Sequence, residues 1–397
     1  MRAWWLDRLT PAGRFLFIVT GLFFGYGSTS IDLQVFVPLL YMSVLWVIAF
    51  CVMLLERPRA TLAVRHAPRS RAGEEVPLEV QVTAQRGGAR DWRVKPTTLP
   101  PGLVSAAPLG TRVPPLRRKQ SATVELKLQA QKRGSYDLNR WRVETDYPFG
   151  LLVSVRDYPV ESRLLVHPRW TPLHRLELPR GLRYQPGGVA MAAARGESME
   201  YIGNRDFREG DDVRHIDWRA TARLQTPIVR EYREEYFLRA AVVLDTFVDA
   251  NNAESEEYFE RAVSLCASVS DYMAREDYLV DLFAAGPEIY HLTSGRSLAY
   301  LEQILDILAC VEPSQAKPFE KLEPEIEAML AQITTIICVF LDWTEERRDF
   351  VARMGMQGAA VKVLLARDTP PTLPADDSTH EVILVPRTWF ESGIVEI

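Results

Sequence analysis

The residues best placed to do chemistry lie between Gly187 and Arg239, GGVAMAAARGESMEYIGNRDFREGDDVRHIDWRATARLQTPIVREYREEYFLR. From Thr171 to Arg239 there are 12 Arg against 11 Asp plus Glu, and no Lys. Arginine presents a rigid fork of donors that matches a carboxylate, so a region of Arg and acids alone predicts fixed bidentate pairing. Asp211, Asp212, His215 and Asp217 form the one cluster with the residue types of a hydrolytic centre, His215 standing as general base. No Ser or Cys nucleophile accompanies them in a recognisable arrangement. A His-x-x-x-His pair, a phosphate-cradling Gly loop and a dinucleotide fingerprint are also missing. The expectation is therefore of a protein without catalytic residues.

A second candidate lies downstream. Asp245 ends the apolar run AAVVL and Asp342 ends CVFL. Acids at the carboxyl ends of parallel strands sit where open α/β sheets bind ligands. Two such carboxylates are candidate oxygen ligands for a divalent cation such as Mg²⁺.

These residues must be held by the elements around them. Phe15 to Ile31 and Val35 to Leu55 are almost free of charge. Roughly 20 apolar residues span a bilayer, so the second run qualifies comfortably and the first marginally. Arg2, Arg8 and Arg14 before the first run, with Arg57, Arg59 and Arg65 after the second, place both flanks in the cytoplasm. The expectation is a two-pass anchor over residues 1–56 in the inner (cytoplasmic) membrane. Residues 57–170 alternate apolar and polar side chains between Gly and Pro punctuation, predicting an Ig-like β-sandwich of six or seven strands. In DYPFGLL, Asp146 to Leu152, Pro148 and Gly150 set a bend while Tyr147 and Phe149 pack. Arg117, Arg118 and Lys119 read as a loop tip. No stacking aromatics are interleaved with them, so no nucleic-acid partner is expected. Residues 171–239 are the Arg/acid segment and linker. Residues 240–397 alternate strands and helices, predicting a largely parallel sheet covered on both faces.

Charge is distributed unevenly. Arg57 to Trp170 carries 21 basic against 10 acidic residues, or +11, and Ala240 to Ile397 carries 11 against 28, or −17. A basic face beside a bilayer favours anionic lipid. Cys51, Cys266, Cys310 and Cys338 form no CxxC pair and read as buried free thiols.

Two resemblances extend this reading. Over Ala240–Ile397 the element order resembles a von Willebrand factor A domain, and Asp245 and Asp342 match that family's metal-adhesion acids. The family's Asp-x-Ser-x-Ser is here Asp245-Thr246-Phe247-Val248-Asp249, and Thr293, Ser294 and Ser297 are loose candidates for its third-strand Thr. The resemblance therefore implies a degenerate metal site. The second covers nearly the whole chain. Gly196, Glu197, Ser198, Glu200, Arg205, Asp206, Phe207, Gly210, Asp211, Asp212, Arg214, Ile216, Asp217, Trp218, Ala222, Arg223 and Glu231 resemble the bacterial family called domain of unknown function 58. That resemblance implies a partnership with a MoxR-type AAA+ ATPase and its protein clients, and no catalytic residues. The expected function is a membrane-anchored adaptor, with a metal-dependent adhesion module and a hydrolase as alternatives. The motif itself is expected to form a turn at Gly210–Asp212 and a helix from Arg214 to Ala222. Ile216, Trp218 and Ala222 would anchor that helix, and the ion network would fix a domain junction.

Overall fold

The computed structural model describes residues 8–28, 33–85, 90–105, 110–179, 199–208, 210–234, 239–248, 253–276, 278–285, 289–293, 298–315, 319–375, 381–392 and 396–397. The chain divides into two compact units between Arg169 and Trp170.

The first unit opens with helices α1 (Pro11–Gly27) and α2 (Leu33–Leu55). They run antiparallel, with Phe17 edge-on to Trp46 at 6.0 Å and Trp46 Nε1 donating to Thr20 Oγ1 at 3.2 Å. Phe36–Leu55 is the one described segment long and apolar enough to cross a membrane. At 17 residues α1 reaches about 25 Å, short of a hydrocarbon core of about 30 Å. The expectation of two qualifying spans is thus met by one.

Among the described residues eleven strands follow, where six or seven were expected: β1 (Ala60–Arg65), β2 (Arg69–Arg71), β3 (Glu75–Ala84), β4 (Trp92–Pro96), β5 (Leu103–Ser105), β6 (Thr111–Arg112), β7 (Ser121–Ala130), β8 (Gly134–Asp137), β9 (Arg140–Thr145), β10 (Ser154–Pro159) and β11 (Arg163–His167). The extra strands are mostly two to five residues long, too short for alternation to announce them. Sheets ordered β1-β3-β7-β5 and β10-β9-β4-β6 carry the core, and a small sheet β2-β11-β8 completes the domain. Every second residue of β3 is buried, and so is every second residue of β7 from Val124 onward, as a half-exposed strand requires. Trp141 is fully buried and satisfies its indole N–H on the Leu138 carbonyl at 2.9 Å.

The second unit begins with a hairpin, β12 (Met199–Asp206) and β13 (Ile228–Glu234), whose connection holds a short 3-10 turn (Val213–His215) and α3 (Trp218–Leu224). It continues through β14 (Arg239–Leu244), α4 (Ala253–Arg275), β15 (Leu279–Ala285), β16 (Ile289–Thr293), α5 (Leu298–Cys310), α6 (Phe319–Met329), β17 (Thr335–Phe340), α7 (Glu345–Met356), β18 (Ala360–Leu365), β19 (Glu381–Leu384) and α8 (Arg387–Ser392). The six-stranded sheet runs β16-β15-β14-β17-β18-β19, parallel except for β16. Counted along the chain this order is 3-2-1-4-5-6, that of a doubly wound sheet, which reverses between β14 and β17. Val242 and Leu244 join one core with Phe259 and Leu308, while Ala241 and Val243 join another with Phe350 and Ile326. Both faces of β14 are therefore covered, which explains its unbroken apolar run.

The root of α1 is fixed to the β domain. The Thr10 N–H donates to the Leu151 carbonyl at 3.1 Å, and Thr10 Oγ1 donates to the Gly150 carbonyl while capping Gly13 N at 2.9 Å. A Cβ on Gly13 would collide with the Leu151 carbonyl, and a backbone atom has no rotamer by which to yield. Gly13→Val is expected to detach α1 from the 150–153 turn and to cost about 1–3 kcal/mol. Faster proteolysis between α1 and the β domain, measured on the full chain in detergent, checks this. An unchanged cleavage rate would refute it.

Candidate functional site

The reversal of strand order places the end of β14 beside the end of β17; Asp245 follows β14 directly, and Asp342 follows β17 after Leu341. Asp245 is completely buried. Its Oδ2 accepts from Arg347 Nε at 2.8 Å and Nη2 at 2.6 Å and from the Leu341 N–H at 3.2 Å, and its Oδ1 accepts from the Phe247 N–H at 3.0 Å. The Arg347 side chain is 7% exposed, donates through Nη1 to Thr344 Oγ1 at 3.1 Å and lies 5.9 Å from the centre of the Phe319 ring. Thr344 precedes α7, and its hydroxyl accepts from Arg347 and makes no capping bond.

Asp342 is held similarly. Arg367 pairs with its Oδ1, which also accepts from the N–H groups of Trp343 at 2.8 Å and Thr372 at 2.9 Å, while Thr372 Oγ1 donates to Oδ2 at 2.5 Å. Arg367 lies over the Tyr258 ring at 5.7 Å. Each acid expected to face a divalent cation thus faces a guanidinium of its own chain.

That donor set does not fit a metal. A divalent cation needs about six oxygen ligands converging on one point, yet the Asp245 oxygens are committed to Arg347 and to two backbone N–H groups. Phe247, two residues beyond Asp245, carries a ring in place of a hydroxyl ligand, and its backbone bridges to Ser314. Among the described residues no group of three His, Cys, Asp or Glu converges on a metal position. Asp249, Ser294 and Ser297 lie outside the described residues, and only the backbone of Thr293 is described.

Sequence reasoning missed Arg347 and Arg367 because nothing local marks them: Arg347 reads as one of several charges in the first turns of an amphipathic helix. It also missed Arg239, which grips the buried Asp281 at 2.5 and 3.0 Å at the start of β14 and within β15. Lys362, likewise missed, is fully buried in β18 and donates to the Glu177 carbonyl at 2.7 Å. Two of the four thiols are buried as expected. Burial pushes Cys266 up to about 12, and burial with Asp245 nearby raises Cys338, so both are inert as nucleophiles. Cys310 is half-buried, and Cys51 is exposed on α2.

The Arg/acid segment shows the predicted bidentate chemistry. Arg205 Nη1 and Nη2 each reach Asp211 at 2.7 Å, and the Arg208 N–H donates to the same carboxylate at 2.7 Å. The Arg205 bonds, followed by the Arg208 N–H, hold the Asp211 carboxyl down at about 2. Gly210 makes the turn at φ +105°, a conformation that favours glycine. Asp212 caps the 3-10 turn through the Arg214 N–H at 3.0 Å.

The expected helix from Arg214 is interrupted. Ile216 bridges to Val229, and α3 starts at Trp218 with Asp217 as its cap, accepting from the Arg219 and Ala220 N–H groups at 3.1 and 3.0 Å. The Ala220 N–H, then Arg230 (Nε at 3.2 Å) and Asn204, lower the Asp217 pKa. A further correction concerns the anchors. Ala220 is buried, whereas Trp218 is 68% exposed and Ala222 is exposed. Arg214, Arg219 and Arg223 are exposed, and among the described residues their side chains have no ion-pair partner. Gly196 and Glu197 lie outside the described residues, while Glu200 is described as backbone, opposite Arg233 in the hairpin.

The class of protein is set by these parts: a β-sheet domain rooted on an apolar helix, and a doubly wound α/β unit preceded by an ion-paired hairpin. Residues 203–376, which cover most of that hairpin and most of the sheet, match the family described as "Protein of unknown function DUF58". An uncharacterized protein, YeaD, of Bacillus subtilis (strain 168) is 23% identical over 211 residues, covering 52% of this chain and 50% of that protein. The chain thus matches about half the length of that curated relative. Among solved structures, the CARDB domain of the PF1109 protein from Pyrococcus furiosus is similar in its crystal form, described as a complex with di-metal ions, and in solution. The crystal form is 17% identical, covers 28% of this chain and 96% of its own, and gives a TM-score of 0.17. The solution form is 16% identical over 27% and 97%, with a TM-score of 0.17.

Two predictions follow from the geometry. Arg347→Met leaves a charged carboxylate buried without its partner and is expected to destabilise the α/β unit by about 3–5 kcal/mol, with Asp245→Asn/Arg347→Met recovering much of the loss. Denaturant unfolding of the full chain checks both, and millimolar Mg²⁺ should leave the wild-type midpoint unmoved. A depressed carboxylate contributes stability above its unfolded pKa and loses it as pH falls through the folded one. The Asp211 cross-link should therefore persist to below pH 4 and dissolve near pH 2, with Arg205→Gln moving the NMR-observed Asp211 midpoint upward.

Proposed function

We propose that the chain is a membrane-anchored adaptor or assembly factor whose soluble units face the cytoplasm and work with a MoxR-type AAA+ ATPase on client proteins. The observation that carries this reading is the contrast between the two candidate sites. The sheet's carboxyl-end centre, where a ligand would bind, is closed by Arg347 and Arg367. The hairpin instead presents Trp218, Val213 and Leu224 to solvent beside the guanidinia of Arg214, Arg219 and Arg223, which have no ion-pair partner among the described residues. Exposed Trp and Arg are the residues enriched where binding energy concentrates. In α3, Arg219 and Arg223 stand four residues apart, a like-charge pair that weakens an isolated helix by a few tenths of a kcal/mol and is relieved by an acidic partner.

Other features support the finer points of the proposal. The 3-2-1-4-5-6 order, the antiparallel third strand and an acid at the end of the first strand favour a von Willebrand A-like unit. Arginines on both flanks of the helix pair favour a two-pass, cytoplasm-facing anchor in the inner membrane. In the hydrolase alternative Asp211 and Asp217 act as free acids or bases, yet both are held by guanidinia and backbone N–H groups. The adhesion alternative needs an open cation site, which the arginine pairs oppose. Chemical crosslinking and capture of the full chain from native membranes tests the adaptor reading. An AAA+ ATPase is expected among the captured proteins, with recovery falling by roughly tenfold or more in Trp218→Ala/Arg223→Glu. Capture without any such ATPase would end the proposal.

A further inference from the structure

The strand pairing of the first unit gathers basic residues, distant in sequence, at the root of the membrane helix. After α2, Arg57, Pro58 and Arg59 lead into β1 at Ala60. This link is clamped, because Tyr158 Oη donates to the Pro58 carbonyl at 2.7 Å and accepts from the Ala60 N–H at 2.9 Å. Ala60 pairs with Ala84 at the end of β3, and Gln85 donates to the Arg59 carbonyl at 2.8 Å. The turn preceding β7 lies against that same end, with Lys119 N donating to the Ala84 carbonyl at 2.7 Å and Ala84 N to the Gln120 carbonyl at 3.0 Å. Arg117, Arg118 and Lys119 therefore lie about two strand spacings, roughly 10 Å, from the Arg59–Ala60 link that follows α2. Lys119 takes φ +65°, which closes this turn.

The five side chains Arg57, Arg59, Arg117, Arg118 and Lys119 are exposed, and among the described residues none has an ion-pair partner. The acids at this root include Glu56, which is exposed, Asp157, which Arg142 holds at 2.7 and 3.0 Å, and Asp146, which opens the 146–150 turn and is held by Arg93 at 3.1 Å. Burial, and then the Arg142 and Arg57 guanidinia, lower the pKa of Arg8, which lies beside the 151–153 segment. Phe149, in the turn that receives the α1 cap, is 45% exposed and does not pack as the sequence suggested. An aromatic ring and unpaired cations at the base of an apolar helix match the two layers of a membrane interface. Clusters of four to eight basic residues beside a span attract anionic lipid at about 1 kcal/mol each, roughly fivefold in affinity.

We propose that Arg57, Arg59, Arg117, Arg118 and Lys119 form a binding rim for the phosphate groups of anionic phospholipids in the bilayer that α2 enters. Each headgroup phosphate accepts hydrogen bonds from guanidinium or ammonium donors, and Phe149 meets the acyl boundary beside them. The rim holds the β domain against the membrane.

This rests on α2 crossing the bilayer, and the experiment separates the two claims. Full-length chain in non-ionic detergent micelles is titrated with phosphatidylglycerol or phosphatidylcholine and read by native mass spectrometry. Phosphatidylglycerol should be preferred by roughly tenfold or more, and the preference should fall about fivefold for each basic residue changed to Gln. Lys127→Gln/Lys132→Gln, toward the opposite end of β7, should retain it. Arg57→Lys/Arg59→Lys should also retain it, which separates lost charge from lost folding. Equal binding of the two lipids overturns the rim, as does a preference for a short oligonucleotide polyanion over phosphatidylglycerol. Release of the wild-type chain by alkaline carbonate overturns the span, and the rim with it.

Discussion

A carboxylate at the end of a strand covered on both faces cannot be hydrated, so some cation or set of donors must be supplied to it. In this α/β unit the supplier is Arg347. Its guanidinium and the Leu341 N–H converge on the same oxygen of Asp245, tying the end of β14 to the end of β17 and the first turn of α7. Taking two charges out of water costs several kcal/mol each, and their attraction offsets this only when every remaining lone pair and proton is used. Here the second oxygen takes the Phe247 N–H and the spare nitrogen finds Thr344, so the pair is well satisfied. The crevice at the switch point is consequently filled by the chain itself.

The Arg/acid hairpin works under a different constraint. A two-stranded ribbon is marginal by itself, and this one is reinforced by local cross-links. Arg205 grips Asp211 across the Gly210 turn, and Asp217 serves both as helix cap and as partner to Arg230. Because Asp211 and Asp217 are taken by Arg205 and Arg230, the positive charge of Arg214, Arg219 and Arg223 remains outward beside Trp218. The ion network shapes a surface by deciding which charges stay free.

In the first unit the constraint is the attachment of an apolar helix pair to a sandwich. The Thr10 cap, the Gly13 approach and the Tyr158 clamp fix both helix roots to one end of the β domain. That end therefore faces whatever surface the helix enters, and the residues on its turns acquire a role from position alone.

Much of this was legible in the sequence, and the physical reason is range. Helices, strands and their order follow from the period of apolar residues along the chain, so the apolar run of α2 and the alternation of strands and helices over residues 240–397 could be read directly. The bidentate Arg/acid chemistry was readable too, since Arg205 and Asp211 are six residues apart. Pairings across long stretches of chain were not. Asp245 and Arg347 are 102 residues apart, and an acid at a strand end reads alike whether a metal or a guanidinium faces it. Trp218 looked like an anchor because tryptophan is usually buried, but a new cap at Asp217 turned it outward. Arg117 to Lys119 looked like an ordinary loop tip until strand register set them beside Arg59. Sequence determined which segments would fold and with what charge. Tertiary structure alone decided which charges meet, because pairing depends on distance in space, which the register of strands and the ends of helices set.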